Sequence, residues 1–281
     1  MFLQPYRPHE LRFAYCYRVY LRWRTHRNLP RAPLARLDRA VLEGLAGQYQ
    51  IRVLECASDA IELLTTVSLQ PAETISGCAS KLKGRVSKWL REALHWEQRT
   101  HLLSKGYFAR TVGKSRRESV EQYLGRQGEH HGYAQRRLPP VFVEQYEIRS
   151  EDMARISAQH ADVVAQFHLV LATLGRRGIF GSEEARQVAT EWHRRQGELR
   201  VALTKVSFVP DHVHIAVRTH PAVAPADIVV ALMNAAQEIM TRELVDAGLN
   251  RLWQPSAYVG GYGDLASPQI RKYIENWAAV L

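Results

Sequence analysis

Short apolar runs with strand-like spacing alternate along the chain with longer segments whose apolar positions recur every three to four residues. The runs lie near 13–24, 51–57, 61–69 and 107–112, and again near 163–173, 199–208, 212–219 and 256–260, and they predict strands. Helices are predicted near 35–48, 73–95 and 115–127, and again near 182–196, 225–246 and 267–280. The same order of elements occurs twice. An α+β architecture, with helices laid on an antiparallel sheet, accounts for each half. Residues 129–160 are polar, contain Pro139–Pro140, and can hold a linker.

The recurrence extends to the residues themselves. IRVLECASDAIELLTTVSLQPA (51–72) lies at an offset of 150 from VALTKVSFVPDHVHIAVRTHPA (201–222), matching Val67 with Val217 and Pro71 with Pro221. At the same offset GYFARTVG (106–113) sits over SAYVGGYG (256–263), and CYRVYLRW (16–23) faces QFHLVLAT (166–173). ESVEQYLGRQ, from 118, corresponds to SPQIRKYIENW, from 267. Two diverged copies of one domain explain four such pairs better than chance does. The expected division is 1–133, 134–160 as linker, and 161–281.

Charge separates the copies. Residues 1–140 hold 24 Lys/Arg against 12 Asp/Glu, a net +12, whereas residues 141–281 hold 14 against 16, a net −2. A polyanion is therefore the expected partner of the first half, and nucleic acid is the obvious one. Lys81, Lys83, Arg85 and Lys88 fall on one predicted helix, and Lys105, Arg110, Lys114, Arg116 and Arg117 follow closely, making a candidate strip for DNA phosphates. The three cysteines share no metal-like spacing and form no even set, so neither a disulfide framework nor a cysteine zinc site is expected. The first residues carry charge too early for a signal segment, and no apolar run approaches membrane-spanning length, so a cytoplasmic protein without a membrane partner is expected.

One predicted strand carries unusual chemistry. In FVPDHVHIAV (208–217), His212 and His214 are two residues apart and project to one face, with Asp211 beside them. Two such imidazoles form either half of a divalent-metal site or a hydrogen-bonded structural pair.

PDHVHI, followed about sixty residues later by YIEN at Tyr273–Asn276, resembles the single-tyrosine HUH transposases, the small TnpA-like and REP-associated (IS200-like) enzymes. LKGRVSKWL (82–90), GYFARTVG and SVEQYLGRQGEHHGY (119–133) resemble the family helix, the strand before the catalytic helix and the tyrosine helix. The resemblance implies two tandem HUH/RRM-like (ferredoxin-like) domains packed as a pseudo-dimer within one, monomeric, chain. It further implies a single-stranded DNA transposase that nicks and rejoins hairpin or palindromic ends. In the family, two histidines and a glutamine four residues after the tyrosine bind Mg²⁺ or Mn²⁺, and the tyrosine forms a 5′-phosphotyrosyl link.

The two copies depart from that pattern in opposite ways. The first has Glu62 and Leu64 at the histidine positions in the constant register, or Ala60 and Glu62 if the motif is slipped by two, but keeps Tyr123 with Gln127; the second keeps His212 and His214 but has Trp277 four residues after Tyr273. Exchange of the tyrosine helices would assemble one complete site from His212, His214, Gln127 and Tyr123, with Tyr273 the second choice of nucleophile. Without exchange the preference reverses. A non-catalytic DNA-binding protein derived from such a transposase, or an RNA-binding pair, would share the charge footprint.

Overall fold

The computed structural model describes residues 3–26, 34–95, 102–113, 119, 140–264 and 266–278. In the first half the described elements are β1 (Arg12–Cys16), β2 (Arg18–Arg24), α1 (Arg39–Ala46), β3 (Arg52–Ser58), β4 (Glu62–Ser68), α2 (Ile75–Leu94) and β5 (Tyr107–Val112). The second half has β6 (Phe142–Gln145), α3 (Ser150–Ile156), β7 (Ala161–Thr173), α4 (Ser182–Arg195), β8 (Val201–Val209) and β9 (His212–Thr219). It ends with α5 (Pro225–Ile239), α6 (Thr241–Asp246), β10 (Trp253–Gly261) and α7 (Ser267–Ala278).

Local chemistry starts these helices where the pattern predicts. Asp38 caps α1 by accepting from Val41 N at 2.8 Å, and Thr74 caps α2 by accepting from Gly77 N at 2.9 Å. Pro225 stands at the first turn of α5, where its missing N–H costs nothing. Along α2, Ile75, Cys78, Ala79, Leu82, Val86 and Leu90 form the buried stripe.

One sheet runs through both halves. Its strand order is β3-β4-β2-β5-β7-β9-β8-β6, with β10 joined to both β7 and β1. Within each half the pairings are antiparallel, whereas β5 with β7 and β1 with β10 pair in parallel across the halves. One apolar core follows, containing Leu21 and Leu63 of the first half together with Val213, Ile215 and Val217 of the second.

A pseudo-twofold relation joins the halves. Ser76 N donates to Pro221 O and Ala226 N to Pro71 O, both at 2.9 Å, and each bond is the other displaced by 150 residues. Across the halves Tyr17 meets Phe167 edge to face, 5.1 Å between centroids. The tandem copies thus pack as a pseudo-dimer inside a single chain.

The sheet corrects one detail of the repeat. Thr25 N donates to Ile61 O at 2.8 Å, and Thr173 N donates to Asp211 O at 2.9 Å. Ile61 and Asp211 are 150 apart, but Thr25 and Thr173 are 148 apart. The first strand of each copy is therefore matched at 148, two residues from the constant register expected for CYRVYLRW. A slip of two leaves every side chain on its original face, so the hydrophobic pattern does not register it. His168 consequently corresponds to Tyr20 rather than to Arg18.

The segment expected as linker is partly folded into the sheet. Residues 142–145 pair antiparallel with β8, from Phe142↔Phe208 to Gln145↔Lys205, and Ser150–Ile156 form a short helix. Phe142 packs edge-on against Phe208, 6.3 Å between centroids, so VFVEQ takes its place as an edge strand despite the prolines before it.

After β10 the chain crosses to the other half. Thr111 Oγ1 donates to Tyr262 O at 2.7 Å, and the Ser267 amide and hydroxyl both reach Gly113 O, at 2.8 and 2.9 Å. Gly263 sits at this crossing, where a Cβ would lie 2.3 Å from the Thr111 carbonyl oxygen. Gly263→Ala is expected to cost at least about 1–3 kcal/mol of stability, because the obstacle is backbone in a paired strand. A lowered urea midpoint checks this; an unchanged midpoint would show that the crossing yields.

Candidate active site

The hairpin β8–β9 turns through Pro210 and Asp211 and delivers His212 at the first residue of β9. Thr173, at the end of β7, holds that turn by donating its amide to Asp211 O, while its hydroxyl lies 2.7 Å from Arg177 O and 3.0 Å from Asp211 O. Odd-numbered residues of β9 enter the core beneath the helices, so His212 and His214 share the opposite face. Both are nearly fully buried, at 2% and 3% exposure. Their rings meet edge to face with centroids 5.0 Å apart.

Each ring has its Nδ1 engaged. His212 Nδ1 lies 2.6 Å from Asp211 Oδ1, and the other carboxylate oxygen lies 2.9 Å from Arg176 Nε. His214 Nδ1 lies 2.9 Å from Nε2 of His168, a β7 residue that sequence reasoning did not single out. Burial holds the His168 pKa down at about 4, so that ring is neutral at ordinary pH. Its only trace in the sequence is one imidazole inside the apolar run QFHLVLAT, a position that reads equally well as core.

With Nδ1 committed on both His212 and His214, Nε2 is the nitrogen each ring can give to a metal, and neutral imidazoles fit that role. Among the described residues no group of three or more His, Cys, Asp and Glu side chains is placed to hold a metal ion. Gln127 and Tyr123 lie outside the described residues.

The equivalent face of the first half has become apolar. Tyr20, Glu62 and Leu64 stand where the second half has His168, His212 and His214. Tyr20 and Leu64 are buried with Ala57, Val112, Ile270 and Ile274 in one cluster, and Glu62 is ion-paired to Arg24. The correspondence is visible in the rings. Tyr20 meets Phe108 edge to face at 6.0 Å, as His168 meets Tyr258 at 5.9 Å. Ile270 and Ile274 come from α7, and Arg271 of the same helix reaches Glu55 at 3.2 Å, so the helix carrying Tyr273 and Trp277 packs on the first half.

The basic strip is largely engaged within the protein. Lys81 is paired to Glu73 and lies 5.6 Å from the centre of the Tyr49 ring, which Arg85 also approaches, at 5.9 Å. Lys83 Nζ donates to Ser104 O at 2.6 Å and Lys105 O at 3.0 Å, and burial lowers its pKa. Arg110 stacks on Phe108 and bonds Asp162 Oδ1 at 2.8 Å, joining β5 to β7. Lys88, 3.8 Å from Glu92, and Lys105 are exposed. Lys114, Arg116 and Arg117 lie outside the described residues.

An α+β pseudo-dimer with one imidazole-bearing face and one apolar counterpart defines the class of protein. The family model described as Transposase IS200 like matches this chain twice, over residues 13–127 and 163–277, and the chain belongs to that family. It is an internally duplicated member. No curated protein matches the chain. Among solved structures, a transposase candidate from Deinococcus radiodurans is 24% identical over 43% of this chain and 95% of its own, with a TM-score of 0.36. A mutant chlorite dismutase from Candidatus Nitrospira defluvii is 15% identical over 92% of this chain and 95% of its own, with a TM-score of 0.21. With scores this low, neither adds to the family match. Among the described residues no helix is long and apolar enough to cross a membrane.

Proposed function

We propose that this transposase nicks and rejoins single-stranded DNA at hairpin or palindromic ends through one composite site made of His212, His214, Gln127 and Tyr123. The observation that carries this reading is the docking of α7 on the first half, where Ile270 and Ile274 cover Leu64. The pseudo-twofold relation then favours the reciprocal assignment, Tyr123 and Gln127 with the second half's histidines. The helix that carries Tyr273 lies instead on the first half, whose Glu62 and Leu64 offer no imidazole.

The chemistry asked of these residues balances. The Tyr123 oxygen attacks phosphorus, a bond forms to the 5′-phosphate, the bond to the 3′ oxygen breaks, and the phenolic proton ends on the released 3′ oxygen, making the free 3′-OH. Rejoining is the reverse. His212 and His214, through Nε2, and Gln127, through its amide oxygen, would hold a divalent cation, which would supply positive charge to the phosphate under attack. Two nitrogen donors suit Mn²⁺ better than Mg²⁺. Asp211 keeps His212 oriented and raises its basicity. Lys88 and Lys105 remain the described candidates for phosphate contacts outside the site.

Metal binding tests the reading first. Wild type is expected to bind one Mn²⁺ per chain by calorimetry, and His212→Ala to weaken that binding by at least about 10–100-fold. Equal binding by both proteins, combined with tight binding of hairpin DNA, would favour a non-catalytic DNA-binding descendant in which the histidines are structural.

A further inference from the structure

His168 has no part in the chemistry above, yet it is bonded to one of the two histidines. Its sheet partner on β9 is Ala216, while His214 faces Val170, so the two imidazoles meet diagonally across the pair β7·β9. Their rings are 16° from parallel, with centroids 5.2 Å apart. At 2.9 Å between His168 Nε2 and His214 Nδ1, one nitrogen carries the hydrogen and the other accepts it. The choice decides what His214 can do. If His168 donated, neutral His214 would carry its own hydrogen on Nε2 and could not ligate through that atom. If His214 donates from Nδ1, its Nε2 keeps a lone pair.

We propose that His168 is a positioning residue that accepts the Nδ1–H of His214, fixing the tautomer and ring orientation that turn His214 Nε2 toward the metal. The proposal rests on the metal-site reading of His212 and His214 and extends it to a third histidine. The two ligands are then backed unequally: His212 by a carboxylate, His214 by a neutral imidazole.

The first half provides an internal comparison. Tyr20 occupies the position of His168 and keeps the edge-to-face contact, with Phe108 in place of Tyr258. Leu64 replaces His214, and the bond between the pair is gone. Packing against the neighbouring ring is therefore satisfied by a tyrosine. What the imidazole adds at this position is a hydrogen-bond acceptor for the ring opposite, and it is present only in the half that retains the ligand.

The test uses the full chain. Long-range ¹H–¹⁵N spectra of metal-free wild type, with His214 assigned through His214→Asn, are expected to show His214 protonated on Nδ1. Calorimetric Mn²⁺ titrations are expected to show His168→Phe binding about 10–100-fold more weakly than wild type. His168→Gln, whose amide oxygen can accept, should recover much of that loss. An Nε2-protonated His214 in wild type would overturn the proposal, as would a folded His168→Phe that binds Mn²⁺ like wild type. Should His168→Phe fail to fold, the wild-type spectrum decides alone. Failure of wild type to bind Mn²⁺ would count against the metal-site reading, and the His214 tautomer would still judge His168.

Discussion

Tyr123→Phe is expected to abolish the covalent adduct between this protein and single-stranded hairpin DNA, whereas Tyr273→Phe is expected to leave it. The measurement is a denaturant-resistant protein–DNA band formed with Mn²⁺ and labelled hairpins from the flanks of the gene. Removing the nucleophile leaves no atom to hold the intermediate, so the expected loss is on the order of 10³-fold or more. His212→Ala should approach the same loss, because metal and nucleophile act as a unit and such effects do not add. Retention of the adduct in Tyr123→Phe with loss in Tyr273→Phe would mean that the second copy works alone, contrary to the placement of α7 over Leu64.

That contrast matters because the two halves have divided the family's residues between them. On the second half's histidine-bearing face stand three imidazoles and an Arg176–Asp211 pair. On the first half's equivalent face, Tyr20, Leu64, Ile270 and Ile274 have closed into an apolar cluster. If the proposed composite site is the chain's single competent one, it would make one phosphotyrosyl link at a time. Treating two DNA ends would then take two chains or two successive reactions.

How far this was legible in the sequence depends on what each feature leaves in the pattern. The strand and helix order, the duplication and the face shared by His212 and His214 all follow from periodicities of two and about 3.6, which the side chains display directly. The two-residue slip of β1 and β2 was not legible, because it preserves that periodicity; backbone bonds such as Thr25 N to Ile61 O reveal it. Strand β6 was hidden by the prolines before it and because VFVEQ, three apolar residues and then two polar ones, does not alternate. The basic residues were legible as charges but not as partners: Lys81 and Arg110 are held by Glu73 and Asp162, each remote in sequence. His168 was invisible for a related reason. Its meaning lies in a diagonal contact across a sheet, and only the register of β7 against β9 creates it.

The second large effect concerns stability, and it is asymmetric. Ile274→Ala is expected to destabilise the protein by about 2–5 kcal/mol, the range for removing a buried aliphatic side chain from a packed cluster. Ile274 is 3% exposed and packs with Leu64 and Tyr20 of the other half, so the loss falls on the contact that holds α7 in place. The measurement is a urea unfolding curve, read with two probes. Because one core spans both halves, a single transition shifted to lower urea is expected for Ile274→Ala. A change below about 0.5 kcal/mol, the scale of an ordinary surface substitution, would show that α7 contributes little there and would remove the support it gives to helix exchange. If the first half's site has been converted into structure, the same variant should keep its DNA adduct while losing stability. His212→Ala should lose the adduct, and because the ring is buried it should lower stability as well. A folded Ile274→Ala that loses the adduct would show that the first half's face takes part in the reaction, and the division between a catalytic half and a structural half would be wrong.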